Sequence, residues 1–305
     1  MDKYLIHIGL QDKPGLLWQA VLFDFSYRIY ADMEKYDLRF SIAHDGDAPL
    51  STAATALLQC VPGFDVPDRT NMGAKPFVMF NKLAPTITNL RGRHLIVMDS
   101  DIILLPEFNR HFILRPGEHF AFEPNTIHVG GMNNAAKLVS TFSPLSPAEC
   151  YKLPAAPSWI AEAGIAEHFV GELVASIQHI LTHSSANALA HAGGHMLSMY
   201  LPPILAKQLE LTTRQLPHFS GNHPVYFPFK SVEGIYGHAT NMHYWAVGFE
   251  FDKRNYTTRT PFHDTPPVHV SSPATRLIWN MISECRDDRR YKNFMEVCDA
   301  HATCA

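Results

Sequence analysis

The stretch that most limits what this chain can fold into runs from His94 to Pro106, His-Leu-Ile-Val-Met-Asp-Ser-Asp-Ile-Ile-Leu-Leu-Pro. Four apolar residues, Leu95 to Met98, lead into Asp99-Ser100-Asp101, and four more, Ile102 to Leu105, lead out. An apolar run of this kind suits a strand covered on both faces, as in a parallel or mixed sheet flanked by helices. Carboxylates are almost never fully buried unless they are paired or bound to a metal. Two of them at i and i+2 inside such a run therefore need a physical reason. The simplest is that they stand where the strand leaves the sheet, at an open edge, and hold a divalent cation there.

Bulk properties narrow the class further. The 305 residues, 46% apolar and 18% charged, suffice for one large α/β domain with a small appendage and carry no disorder signature. A formal net charge of −4 gives no support to a nucleic-acid surface. Met-Asp-Lys-Tyr-Leu-Ile-His-Ile at the start lacks the pattern of a secretory signal, and no apolar run approaches the roughly 18 residues of a membrane span. Cys60, Cys150, Cys285, Cys298 and Cys304 are odd in number and free of C-x-x-C spacing, as reduced thiols would be. A cytoplasmic enzyme is the expectation.

Upstream of the run, Tyr4 to Leu10 reads as a strand and Asp12-Lys13-Pro14-Gly15 as a turn. From Leu16 to Tyr36 a stripe of Leu17, Val21, Leu22, Phe25, Ile29 and Met33 predicts one long amphipathic helix. Leu38 to Ala43 is a second strand, Thr52 to Leu58 a helix and Phe64 to Val66 a short strand. Asn71 to Pro76 opens a further helix, from about Phe77 to Leu90. This alternation marks an open α/β sheet with right-handed crossovers, in which ligands bind beyond the carboxyl ends of the strands. Downstream, His119 to Glu123 reads as a strand. Ser143 to Ser158, with four prolines, reads as a surface loop. Helical patterns follow at Ile160–Thr182, Ala186–Leu201 and Ile204–Leu211, the last two parted by Pro202-Pro203. Pro217 to Pro228 is turn-rich, Ile235 to Phe251 is strand-like, and helices occupy the chain from Pro273 onward.

Two D-x-D tripeptides are present among 16 aspartates, against roughly one expected from composition. Asp45-Gly46-Asp47 contains glycine after a short strand and reads as a solvated turn. Asp99-Ser100-Asp101 is embedded in apolar strand residues and reads as a metal or nucleotide site. Leu95-Ile-Val-Met-Asp-Ser-Asp-Ile-Ile resembles the D-x-D strand of GT-A glycosyltransferases, nucleotide-sugar-dependent enzymes built on a Rossmann-like sheet. The resemblance implies a mixed central sheet flanked by helices, with Asp101 as a metal ligand and Asp99 on the ribose and the metal. A hard cation there, Mn²⁺ or Mg²⁺, would neutralise charge developing on a nucleoside diphosphate leaving group. Asn71-x-Gly73 with Lys75 is similar to the N-x-G segment of the inverting enzymes, which assigns these residues to the donor. Lys82 could also reach a phosphate, and both lysines equally suit a solvated helix.

Gly234 to Trp245 resembles the H-x-x-G-x-x-K-P-W region of the retaining family that includes glycogenin. It offers His238 as a third metal ligand, with His243 as second choice; imidazole beside carboxylates suits Mn²⁺ better than Mg²⁺. No Lys-Pro precedes Trp245, and Lys253 is the nearest lysine for the donor phosphates. The resemblance implies a donor-binding half over 1–125, an acceptor-side half over 126–272 completing the same domain, and a helical extension over 273–305. The donor would be a UDP-sugar and the acceptor a glycan, a protein or a modified DNA base. Glu162, Glu167 and Glu172 are the acids available as a catalytic base. His179/His183 and His191/His195, each at i and i+4, keep a non-glycosyl metal hydrolase open. The missing Lys-Pro equally leaves open a nucleotide-sugar-binding protein without catalysis. No P-loop, G-x-G-x-x-G or G-x-S-x-G occurs.

Overall fold

The computed structural model describes residues 3–44, 48–66, 71–72, 75–76, 90–124, 138–139, 143–185, 187–188, 197–216, 241–243, 251, 253–256, 259–267, 269 and 273–302. Asp45 to Asp47, the helix expected over 77–89, the turn-rich stretch 217–228, His238 and Trp245 lie outside these residues.

The mixed α/β sheet expected from the sequence is present. Its strand order is β10-β8-β9-β6-β1-β2-β3, where β1 is Tyr4–Gln11, β2 Tyr36–Ala43, β3 Gly63–Val66, β6 His94–Val97, β8 Phe120–Phe122, β9 Trp159–Ala161 and β10 Thr213–Gln215. β1 runs parallel to β6, β2 to β3 and β8 to β10, while β9 is antiparallel to both β6 and β8. Two small antiparallel pairs complete the sheets. One joins β4 (Asn71–Met72) to β5 (Lys75–Pro76), and the other joins β7 (Ile102–Leu104) to β11 (Asn241–His243). The described helices are α1 (Pro14–Tyr30), α2 (Thr52–Leu58), α3 (Phe108–His111), α4 (Pro147–Tyr151), α5 (Ala166–His183), α6 (Leu197–Gln208), α7 (Pro273–Asp287) and α8 (Lys292–Ala302).

The chain divides into two interleaved compact units. One gathers Met1–Gly9, Asp68–Met98 and Phe112–His218, the other Leu10–Pro67, Asp99–His111 and Phe219–Ala305. In the first, Phe120, Trp159 and Phe169 form an aromatic knot with ring centroids 4.9–5.8 Å apart. α5 lays Phe169, Val170, Leu173, Ile177 and Ile180 against it, and α6 adds Leu197, Leu201, Ile204 and Leu205. In the second unit, α1 is buried from Leu17 to Tyr27. Phe23 packs edge-on to Phe40, and Phe25 packs on Tyr291.

Several local expectations change. Helix α1 stops at Tyr30 instead of Tyr36, because the Asn109 side chain takes over its end. The Asn109 Nδ2 donates to Tyr30 O (2.6 Å), and Asp32 N donates to Asn109 Oδ1 (2.9 Å). Ile29 and Met33, the last members of the predicted stripe, are accordingly 47% and 56% exposed. Asn71–Met72 and Lys75–Pro76 pair as two short strands where a helix start was expected. Within the proline-rich loop, Ser146 and Glu149 cap each other reciprocally and start α4 at Pro147. Trp159 to Ala161 is a strand, although the sequence runs it into the helical pattern that follows.

The two prolines lie inside α6 and do not break it. Pro203 lacks the N–H that would bond the carbonyl of Met199, and Ala156 N donates to that oxygen instead at 2.8 Å. A partner outside the helix thus satisfies the group that proline leaves open.

His7, opposite Val97 in the sheet, is fully buried, and burial pushes its imidazole from 6.5 down to about 3. The unfolded chain therefore binds this proton at a higher pH than the folded one does. Stability falls as pH drops below the unfolded value, by up to about 1.4 kcal/mol per pH unit. Urea denaturation of wild type and His7→Leu between about pH 6.5 and 5 should show a shallower loss in the variant. Equal slopes would mean that His7 is not the proton acceptor.

Candidate functional site

β6 ends at Val97, and β7 begins at Ile102. Asp99, Ser100 and Asp101 occupy the turn between them, where the apolar run leaves the large sheet. They are 7%, 8% and 5% exposed, so the turn is enclosed and is not an open edge. The pair offers hard carboxylate oxygens only a residue apart. Mg²⁺ and related cations are commonly held by one or two carboxylates, with substrate phosphates and water filling the shell. In donor chemistry the residues present fit such an ion. Among the described residues, however, no group of three or more His, Cys, Asp or Glu could hold a metal.

The turn is fastened along one helix. Ser100 Oγ donates to Gln19 Oε1 at 2.6 Å, and Gln19 Nε2 donates to Gly15 O at 2.7 Å. Leu104 N donates to Ser26 Oγ at 3.0 Å, while that hydroxyl donates to Phe23 O at 2.8 Å. Asn109, described above, makes the third attachment. Gln19 and Ser26 are seven residues apart, two helical turns or about 10.5 Å. The segment from Ser100 to Leu104 can span at most about 14 Å, so it can reach both attachments alongside α1. Sequence reasoning missed Gln19, Ser26 and Asn109. For Gln19 and Ser26 the available signal was polar residues interrupting the apolar face of an otherwise buried helix; for Asn109, on the short helix α3, there was none.

The other expected site residues fall in different places. His243 is the last residue of β11, in register with Ile102 and thus one position from Asp101 in the ladder. Of the two histidine choices it is the one whose backbone the structure places beside the acid pair. Lys253 opens a 3-10 turn, 253–256, whose Tyr256 carbonyl accepts from Trp18 Nε1 at 3.1 Å, one residue before Gln19. Asn71 and Lys75 belong to the β4–β5 ribbon, while Gly73 and Lys82 lie outside the described residues. Glu162 follows β9 at the end where Ala161 faces Leu95 and Phe120, the starts of β6 and β8. Glu167 and Glu172 are exposed on α5 beyond it. These acids therefore stand at the opposite end of β6 from Met98.

Glu123 stands at the other end of these strands. It follows β8, which is parallel to β6 because both are antiparallel to β9, so Glu123 leaves the sheet at the same edge as Met98. Two strand spacings separate them, about 10 Å. Glu123 is 3% exposed, and its N–H donates to Ser158 O at 2.9 Å. Gln11, the last residue of β1, is also buried, and among the described residues neither atom of its amide has a hydrogen-bond partner. Such a group costs about 1–3 kcal/mol if nothing meets it. Of the histidine pairs, His179 and His183 stack at 4.2 Å on α5, with His183 Nδ1 2.9 Å from His179 O. His191 and His195 lie outside the described residues.

α1 is held from its other side as well. Tyr291 Oη donates to Asp24 Oδ2 at 2.7 Å, and Arg28 Nε pairs with the same oxygen at 2.8 Å. Burial raises the Asp24 carboxyl against the opposing pull of Arg28 and Tyr291. Removing the Tyr291 hydroxyl leaves a fully buried carboxylate with one donor fewer. Tyr291→Phe is expected to cost about 1–3 kcal/mol in urea denaturation; an unchanged midpoint would show that the bond does not hold α1.

No protein-family model matches the sequence, and no curated protein matches it. Among solved structures the chain is similar to the apo structure of WbbM, a bifunctional glycosyltransferase, with TM-score 0.50 and 11% identity over 97% of this chain and 51% of that one. It thus spans about half the length of WbbM. It is also similar to the galactosyltransferase LgtC in complex with donor and acceptor sugar analogues (TM-score 0.46, 9% identity, 95% of this chain, 99% of that one). A third likeness is to apo mouse xyloside xylosyltransferase 1 (TM-score 0.36, 11% identity, 80% and 97%). At such identities the likeness is one of fold, and the fold is the GT-A-like α/β arrangement.

Proposed function

We propose that the chain is a metal-dependent glycosyltransferase that moves a sugar from a nucleotide donor, a UDP-sugar in our reading. The observation that supports this most is the buried Asp99-Ser100-Asp101 turn at the carboxyl end of β6 in a sheet of glycosyltransferase fold. In such sheets ligands bind beyond the strand ends, which is where these two carboxylates stand. The bound ion would neutralise charge on the departing diphosphate. Asp101 and Asp99 would hold it, and His243 is the third ligand we favour on the β7–β11 register. His238, Lys253, Asn71, Gly73 and Lys75 remain in the proposed donor set on the resemblance alone. Gln11 would offer its unmatched amide to the nucleotide. For the acid that handles the acceptor we put Glu123 ahead of Glu162 and Glu167.

Thermal denaturation with UDP, GDP and ADP, each with and without Mn²⁺, tests the donor half. Ligand at about 100 times its Kd stabilises by about 2.7 kcal/mol. We expect a nucleotide-induced rise in Tm that requires Mn²⁺ and is absent in Asp101→Ala. Zinc binding that survives Asp101→Ala, with no nucleotide effect, would instead favour the hydrolase reading. Glu123→Gln tests the other half in donor turnover, measured as hydrolysis of a panel of UDP-sugars. A fall of about a hundredfold with the nucleotide-induced Tm shift intact is expected, and an unchanged rate would remove Glu123 from the chemistry.

A further inference from the structure

We propose that Gln19 is a positioning residue for the Asp99/Asp101 pair and sets the concentration of divalent cation that nucleotide binding requires. The inference rests on the donor reading above and deepens it.

The hydrogen bonds fix which end of the amide faces the turn. Gly15 offers a backbone carbonyl, which can only accept, so the atom of Gln19 that meets it is the Nε2 donor (2.7 Å). The atom facing Ser100 is then Oε1, which can only accept, and Ser100 Oγ must give it the hydroxyl proton (2.6 Å). Ser100 therefore has no proton left for the carboxylates on either side of it. A serine between two aspartates would otherwise be free to bond them or the local backbone and to draw the turn into other shapes. Gln19 takes the hydroxyl proton and ties the turn to α1 with one contact, while the hydroxyl oxygen keeps its lone pairs as acceptors. The bond is enclosed, with Gln19 2% and Ser100 8% exposed, so water does not readily replace it.

The effect is local to the acids because β7 has its own attachment. Leu104 N is held by Ser26, and Asn109 holds the end of α1. Loss of Gln19 leaves those contacts in place and loosens the turn that carries Asp99 and Asp101. Outer-sphere partners of this kind commonly change metal affinity about 10- to 100-fold when removed.

The test measures the Tm shift induced by UDP or GDP as Mn²⁺ is titrated, in wild type, Gln19→Leu, Ser100→Ala and the double variant. Each single variant should raise the Mn²⁺ midpoint about tenfold, and the double variant should match the singles, because all three lack the same bond. The Tm without ligand behaves differently. Gln19→Leu leaves the Ser100 hydroxyl unpaired and lowers it, whereas removing both partners restores much of the loss. A midpoint that recovers together with the Tm in the double variant would reduce Gln19 to a structural role and overturn the proposal. So would a wild-type midpoint in Gln19→Leu, or in Ser100→Ala if the glutamine variant does not fold. If wild type itself shows no Mn²⁺-dependent nucleotide shift, the donor reading fails and this inference with it. A wild-type shift that the variants share unchanged removes the inference alone.

Discussion

The hydrogen bond from Ser100 to Gln19 is the contact on which the candidate site depends most directly. A turn carrying two carboxylates out of water is unfavourable in itself, since each charge loses hydration and repels its neighbour. The turn lies between the two strands, where β6 has ended and β7 has not begun. A buried side-chain bond supplies what the sheet does not. The helix that makes it also grips Leu104 and is capped by Asn109, so the whole segment after the acids follows α1.

This arrangement makes the placement of α1 a condition for the site. The helix is held inside the second unit by Phe23 on Phe40, Phe25 on Tyr291 and Trp18 on Phe251 and Tyr256. Its one fully buried acid, Asp24, is satisfied through Oδ2 by Arg28 and Tyr291, while Oδ1 has no partner among the described residues. Half-satisfied buried carboxylates are costly, so the packing around Asp24 must outweigh that cost. The C-terminal helical region, which supplies Tyr291 and Trp279, is therefore part of the frame that positions α1.

Much of the α/β frame was legible because period and apolar continuity survive in the sequence. β1, β2, α2, β3, β6 and β8 appear close to where their patterns place them. Strands of three residues were not legible when a helix followed at once: Trp159 to Ala161 carry no alternation long enough to separate them from α5. α6 was divided by its prolines because nothing local announces that Ala156 will bond Met199. At the site, the acid pair was legible as charge in an apolar run. The partners of Gln19, Ser26 and Asn109 were not, because a polar residue that bonds a group distant in sequence looks like any other helix residue in one dimension. Glu123 was overlooked for a related reason: only the antiparallel course of β9 puts its edge beside that of β6.

The same topology explains why the acids can stand inside the longest apolar run of the region. His94 to Val97 pairs in the large sheet, and Ile102 to Leu104 pairs with β11. The run serves two sheets and needs apolar side chains for both. The switch between them lies outside both assigned strands, and polar groups there can be met by side chains without breaking a strand. Placed two residues earlier, a carboxylate would enter the ladder between β1 and β9 and face the core. Asp99-Ser100-Asp101 thus occupies the short interval of the run between its two strands, and the Gln19 amide ties that interval to α1 through Ser100.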